Sequence, residues 1–516
     1  MKNKGMSLFF AETWVLTISS LITKILSAFY RIPLQNLVGN RGFFIYQQVY
    51  PLYGLCTAVA LTGLPMFVSQ VLAEDKVNQA QNQRHLLQGA LALGILGALL
   101  LKLAAPQIAS GMGDPSLTPL VAVLSWFYLL APLEAVLRGI YQSDLQMLPT
   151  AISQVSEQII RVLIIIIAAI CLSSHDYLMG TWAHAGAAIG AAGAIIILLG
   201  FHLPISAKSQ PQLRKAGNSH LLRRFLSEGL LLSLFSGVLV LFQAIDSFTV
   251  FKALQAAFYQ HAQELKGIYD RAQPLAQLAI VLAVSLATTI LPQLSQSAQD
   301  KQTELKNITL HVALVLAASC AVGMAALMPQ INTLFFKDAQ QSWSLAVYVL
   351  AAFFIAYAIV INTLMQAQHQ QQQNWLALLL AVISKWLLNR LLIPPLGILG
   401  ASCATLLASI ILAVLLYFNS DQSLRQGLFK KHFLLKLSLV MLLLFIFVKI
   451  MSIFWRFFEP LSRLSALWEV SVTIICSVIL VVILSYRWQL LTGQEWKMLP
   501  GGQRILQKLG EKHALR

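Results

Sequence analysis

Seven basic residues stand inside or at the ends of stretches that are otherwise apolar enough to cross a bilayer: Lys24, Arg31, Arg138, Arg161, Arg271, Lys385 and Arg390. A charge at the centre of a bilayer costs roughly 3 kcal/mol or more, so each is expected to face a protein interior or a watery cavity. Guanidinium and ammonium groups so placed can form charge-assisted hydrogen bonds to phosphate or carboxylate oxygens. The expected cargo is therefore anionic.

The elements that hold these residues follow from composition. Of 516 residues, 58% are hydrophobic and 11% charged, and the mean hydropathy is +0.72. Such a chain reads as an all-α polytopic membrane protein rather than a soluble domain. A window of about 20 residues yields about fourteen transmembrane helices. They cover 8–30, 42–71, 86–108, 117–141, 149–172, 179–203, 224–251, 267–293, 308–330, 343–366, 374–393, 397–418, 433–451 and 465–486. No small-residue cleavage site follows the first apolar core, so that segment is expected to stay as a span. The five cysteines are scattered singly through apolar runs, which argues against a disulfide framework or a zinc site. No metal and no cofactor is expected.

Loop charge gives the orientation. With a cytoplasmic N-terminus, the inside segments collect about twenty basic residues, among them Lys76, Arg84, Lys208, Arg214, Lys215 and the tail from Arg487 to Arg516, against about seven outside. Both termini are thus expected in the cytoplasm. The net charge of +16 is topological in origin and implies no nucleic-acid partner.

The polar stretch from Pro204 to Leu222 divides two halves that look related. Ser156 to Arg161 (SEQIIR) matches Ser384 to Asn389 (SKWLLN), with ionisable or amide groups at i and i+4. Ala185-Gly186-Ala187 matches Leu399-Gly400-Ala401, and Leu64-Pro65 with Ser69-Gln70 matches Leu291-Pro292 with Ser295-Gln296. All three matches are offset by six helices, an even number, so the repeats run parallel and a binding site between the halves is expected. The domain reading is an N-terminal lobe 1–205, a cytoplasmic linker 206–222, a C-terminal lobe 223–420, two further helices in 421–486 and a basic cytoplasmic tail 487–516.

Several stretches resemble a known family: Lys24 to Leu34 (KILSAFYRIPL), Tyr46 to Pro51 (YQQVYP), Arg138 to Gln142 (RGIYQ), Met147 to Arg161 (MLPTAISQVSEQIIR), Asp246, Tyr269 to Leu275 (YDRAQPL) and Leu291 to Ser295 (LPQLS). Together they are similar to the SpoVB/YtgP group in the polysaccharide transporter branch of the MOP (MATE-like) superfamily, which includes Gram-positive lipid II flippases. The resemblance implies two six-helix lobes forming a V plus two C-terminal helices. It also implies a cationic central cavity for the diphosphate of an undecaprenyl-linked glycan, with 433–451 and 465–486 forming a groove for the lipid tail. On that basis the chain is expected to be a monomeric multi-pass transporter of the bacterial cytoplasmic membrane, contacting membrane lipids and associated with the cell-wall synthesis machinery.

Residue by residue, the resemblance marks Lys24, Arg31, Arg161, Asp270, Arg271 and Gln273 as substrate-binding candidates. Lys24 and Arg31 lie seven apart, about two helical turns, and so on one face of a continuous helix. In Gram-negative flippases the second base aligns with Tyr30, which leaves open whether Arg31 binds substrate or snorkels to the interface. Arg271 is either a diphosphate ligand or one half of an ion pair with Asp270 or Asp246. Glu157 and Arg161 read as a self-neutralising i, i+4 pair, Arg138 as an arginine snorkelling to lipid phosphate, and Glu12 and Glu134 as possible partners of these bases. Some relatives bind sodium where this chain has Asp246, Lys385, Asn389 and Thr405. A lysine there supplies the charge of the cation, so the expectation is an Asp246–Lys385 pair and no sodium dependence.

Enzyme readings find no support. The chain has no P-loop, HExxH or GxSxG motif and no sizeable extramembrane domain. A MATE-type drug antiporter is disfavoured, because cationic drugs call for an acidic or apolar cavity rather than a basic one. Exporters of other polyprenyl-linked repeat units remain the alternative.

Overall fold

The computed structural model describes residues 2–74, 77–201, 233–235, 237–296, 299–366, 374–429, 432–458, 460–499 and 502. Among them the regular structure is helical, without strands. The expected inter-lobe linker 206–222 and most of the basic tail lie outside the described residues, as do the side chains of Glu12 and of Leu291 to Gln296.

Two compact units emerge, 1–267 and 268–516. The first contains α1 (Lys2–Phe29), α2 (Arg31–Cys56), α3 (Leu64–Glu74), α4 (Gln79–Gly111), α5 (Thr118–Ser143), α6 (Met147–Cys171), α7 (Asp176–Gly200) and α8 (Val238–Ala256). The short helix α9 (Ala262–Asp270) ends just past the boundary. The second unit contains α10 (Ala272–Gln296), α11 (Gln299–Ala326), α12 (Met328–Phe336), α13 (Ser342–Gln366), α14 (Asn374–Leu396) and α15 (Ile398–Asn419). It continues with α16 (Gln422–Phe429), α17 (Phe433–Phe458), α18 (Arg463–Arg487) and α19 (Gly493–Met498).

Twelve stretches of the described residues are long and apolar enough to span a membrane. One of them, Ile18–Glu74, holds the second expected span and the later part of the first, and α10 supplies the expected eighth, so each span read from hydropathy overlaps a described helix. The connection expected at 31–41 is not a loop. The chain stays helical through it and breaks at Gly39, whose φ of 69° is open to glycine at little cost. Between α2 and α3 the chain widens into a π-helical turn, Thr57–Gly63. Helix α8, expected to open the C-terminal lobe, packs on α2 and belongs to the first unit.

Within each unit the helices pack as hairpins tightened by glycine. In the first, α7 lies so close to α6 that a Cβ on Gly190 would stand 2.8 Å from the Glu157 carbonyl oxygen. In the second, a Cβ on Gly400 of α15 would stand 2.0 Å from the Leu392 carbonyl oxygen of α14. Both helix pairs carry the matched SEQIIR and SKWLLN segments, so the sequence repeat corresponds to the same close-packed hairpin in each unit. Apolar burial completes the packing, as where Leu64, Phe67, Val68 and Val71 meet Ala135, Val136 and Ile140.

Candidate functional site

The first unit gathers two arginines and four tyrosines. Tyr46, Tyr50 and Tyr53 recur at i, i+4 and i+7 and thus share one face of α2. Tyr30, with helical φ and ψ, joins the end of α1 to the start of α2 at Arg31. Helix α6 brings Arg161, held by its packing on α1, α2 and α7.

Arg161 is buried and donates through Nη2 to the Tyr30 hydroxyl at 2.9 Å and through Nη1 to the Tyr53 hydroxyl and to Gln158 Oε1. Its guanidinium carbon sits 4.1 Å from the Tyr53 ring centroid and 5.2 Å from that of Tyr30. The Tyr30 and Tyr46 hydroxyls are 2.7 Å apart, and the Tyr46 ring stacks on His184. Arg31 is wholly buried, 4.1 Å from the Tyr50 centroid, and none of its three guanidinium nitrogens meets a hydrogen-bond acceptor. Neither arginine touches a carboxylate among the described residues. Aromatic faces stabilise a desolvated cation by about 2 kcal/mol, well short of the several kcal/mol that burying an ion costs. The arrangement is a preformed, uncompensated positive site.

Two sequence expectations fail here. Glu157 does not pair with Arg161; its carboxylate lies 3.0 Å from Arg138 Nη2, so the i, i+4 spacing offered a partner that the helix packing did not use. Arg138 does not snorkel: it is buried between Glu134 Oε1 at 2.5 Å, Glu157 and the Ser153 hydroxyl at 3.0 Å. Lys24 and Arg31 stand seven apart across Tyr30, whose backbone is helical, yet their surroundings differ: the Lys24 side chain is exposed while that of Arg31 is enclosed.

The second unit neutralises its arginine. Arg271, between α9 and α10, makes a bidentate bridge to Asp338 at 2.9 and 2.8 Å and donates to Asn332 Oδ1 at 3.0 Å. Asp338, on the connection between α12 and α13, is a partner that the sequence expectation of Asp270 or Asp246 did not include. Burial alone would raise the Asp338 carboxyl, but the Arg271 guanidinium outweighs it and holds that carboxyl below the usual carboxylate range. Asp270, fully buried, accepts from Gln273 Nε2 at 2.7 Å.

Lys385 is also fully buried. Its ammonium donates to Thr405 Oγ1 at 2.7 Å, Asn389 Oδ1 at 3.1 Å and the Ala401 carbonyl at 3.3 Å, and Tyr269 reaches the same Thr405 hydroxyl at 3.1 Å. Three of the four expected coupling residues thus meet in one cluster. Asp246, the fourth, is fully buried in α8 of the first unit. Arg390 is exposed, with its guanidinium over the Trp386 ring.

Residues 9–298 match the family model described as polysaccharide biosynthesis protein. The chain belongs to that family. The uncharacterized membrane protein YabM of Bacillus subtilis (strain 168) is 34% identical over 406 residues, covering 76% of either chain. The lipid II flippase MurJ of the same organism is 25% identical over 443 residues, 78% of this chain and 80% of that one. A solved lipid II flippase MurJ in an inward closed conformation superposes with a TM-score of 0.68 at 17% identity, covering 91% of this chain and 98% of that one. This family member therefore has the flippase's fold and is a multi-pass membrane protein.

Proposed function

We propose that this protein is a flippase that moves an undecaprenyl-diphosphate-linked cell-wall precursor, lipid II foremost, from the inner to the outer leaflet of the bacterial cytoplasmic membrane by alternating access. The observation that carries this reading is the pair Arg31 and Arg161, buried among tyrosines without a carboxylate counter-ion among the described residues. A diphosphate supplies the missing negative charge and accepts the unfilled guanidinium donors. The relative that is a lipid II flippase supports the cargo class. In this reading the exposed Lys24 meets the cargo on entry, both termini lie in the cytoplasm, and α17 with α18 form the groove for the isoprenoid. The protein transports and does not turn its substrate over, acting as a monomer alongside the cell-wall synthesis machinery.

A second reading differs only in the head group: another polyprenyl-linked repeat unit, teichoic, capsular or exopolysaccharide. Its support is that YabM is more similar to this chain than the lipid II flippase is. Complementation of a strain depleted of its lipid II flippase separates the two. Rescue selects the peptidoglycan precursor; failure despite normal membrane insertion selects another glycan.

A further inference from the structure

A second group of buried charges in the first unit is left unused by the cargo site. Glu134 Oε1 and Glu157 Oε2 approach the same atom, Arg138 Nη2, at 2.5 and 3.0 Å. Those two oxygens are therefore about 5.5 Å apart at most, the sum of the two distances. Glu134 is fully enclosed, and neither of its oxygens has a hydrogen bond of sound geometry. One guanidinium balances one carboxylate, and a second carboxylate this near in a dry interior does not stay ionised beside the first.

No other cation answers the excess among the described residues. Helix α2 brings Tyr53 and Cys56 within electrostatic reach of the two acids. Helix α6 adds the Ser153 hydroxyl, which takes the Arg138 Nε donor, and Arg161, which turns to Tyr30 and Tyr53. Helix α7 presents Gly190 to Glu157, α3 and α4 present apolar residues to α5, and α1 contributes Lys24, which is exposed.

We propose that Glu134, Glu157 and Arg138 form a proton-binding site in which one proton is shared by the two carboxylates. Binding converts one carboxylate to a carboxylic acid and takes the group from a net charge of −1 to zero; release restores the second anion. The site needs both acids, since either alone is balanced by Arg138 and stays ionised.

Infrared spectroscopy of the full-length protein in lipid tests this through the C=O stretch of protonated carboxyl groups. The wild type is expected to show such a band at neutral pH, to lose it on alkaline titration, and to shift it when glutamate is labelled with carbon-13. Glu134→Gln and Glu157→Gln are each expected to abolish it. No glutamate-derived band in the wild type overturns the proposal, as does a band that survives in Glu157→Gln, which would mean a proton fixed on Glu134 by burial alone. The labelling arm uses the wild type, so the overturning result, no glutamate-derived band, can be read even where a variant fails to insert.

Discussion

Replacing Arg31 by Met separates a binding role from a structural one. The substitution keeps most of the side-chain volume and removes the charge. It breaks no hydrogen bond, because none of the three guanidinium nitrogens has an acceptor. It does lose the cation over Tyr50 and Tyr30, at 4.1 and 5.9 Å, worth about 2 kcal/mol for a desolvated site. Against that stands relief from burying an unpaired ion, an effective penalty of several kcal/mol. The folded protein is therefore expected to be as stable as wild type or more so. Binding moves the other way: one charge-assisted contact to phosphate is worth about 1.5–3 kcal/mol, so affinity for undecaprenyl diphosphate is expected to fall about tenfold to a hundredfold. Titration calorimetry and thermal unfolding of the purified protein in lipid nanodiscs measure both quantities. A lowered melting temperature with unchanged affinity would remove Arg31 from the binding site and make it a packing residue.

The Lys385 ammonium already occupies the oxygens of Asn389, Thr405 and Ala401, so flipping in sodium-free buffer is expected to equal flipping in sodium; a strict sodium requirement would overturn this. Lys385→Met should lower the melting temperature, since it strands those acceptors in a dry interior. The Asp338 carboxyl, held low by Arg271, contributes stability that is present above the ordinary carboxylate pKa of about 3.9 and is lost as pH falls through its lower folded value. The stability gap between wild type and Asp338→Asn should accordingly be constant near neutrality and narrow below about pH 4, and a gap flat throughout acid titration would count against the bridge. Removal of Phe433–Arg487 should abolish flipping of a long isoprenoid while sparing a short-chain analogue, and normal transport of the long substrate by that truncation would place its tail elsewhere.

The spans were legible because hydropathy over about 20 residues is a one-dimensional signal, and each expected span overlaps a described helix. Partner choice between helices was not. Glu157 lies four residues from Arg161 and far in sequence from Arg138, yet it meets Arg138, because the rotation of α6 against α5 decides which face each residue presents. Asp338 had a readable signal: it is the only acid between Glu304 and Asp421, just beyond the apolar run of α12, where any buried base in that half would find it. The tyrosine face of α2 was also written at i, i+4 and i+7, but aromatic spacing in an apolar helix has no polarity of its own until an arginine arrives from another element.

The widened turn at Thr57–Gly63 sets the angular phase between α2 and α3. In an α-helix each residue advances the azimuth by about 100°, so dropping one residue there would swing α3 by more than a quarter turn relative to the tyrosines of α2. Val68 now lies over Gly139 so closely that a Cβ on the glycine would stand 2.5 Å from the valine Cβ. A mis-phased α3 would carry Val68 off that glycine and bring a different side chain against α5, the helix that carries Glu134 and Arg138. The length of this stretch is thus a constraint of its own: a one-residue deletion in 57–63 should be harder to tolerate than most substitutions within it, whatever residue is removed.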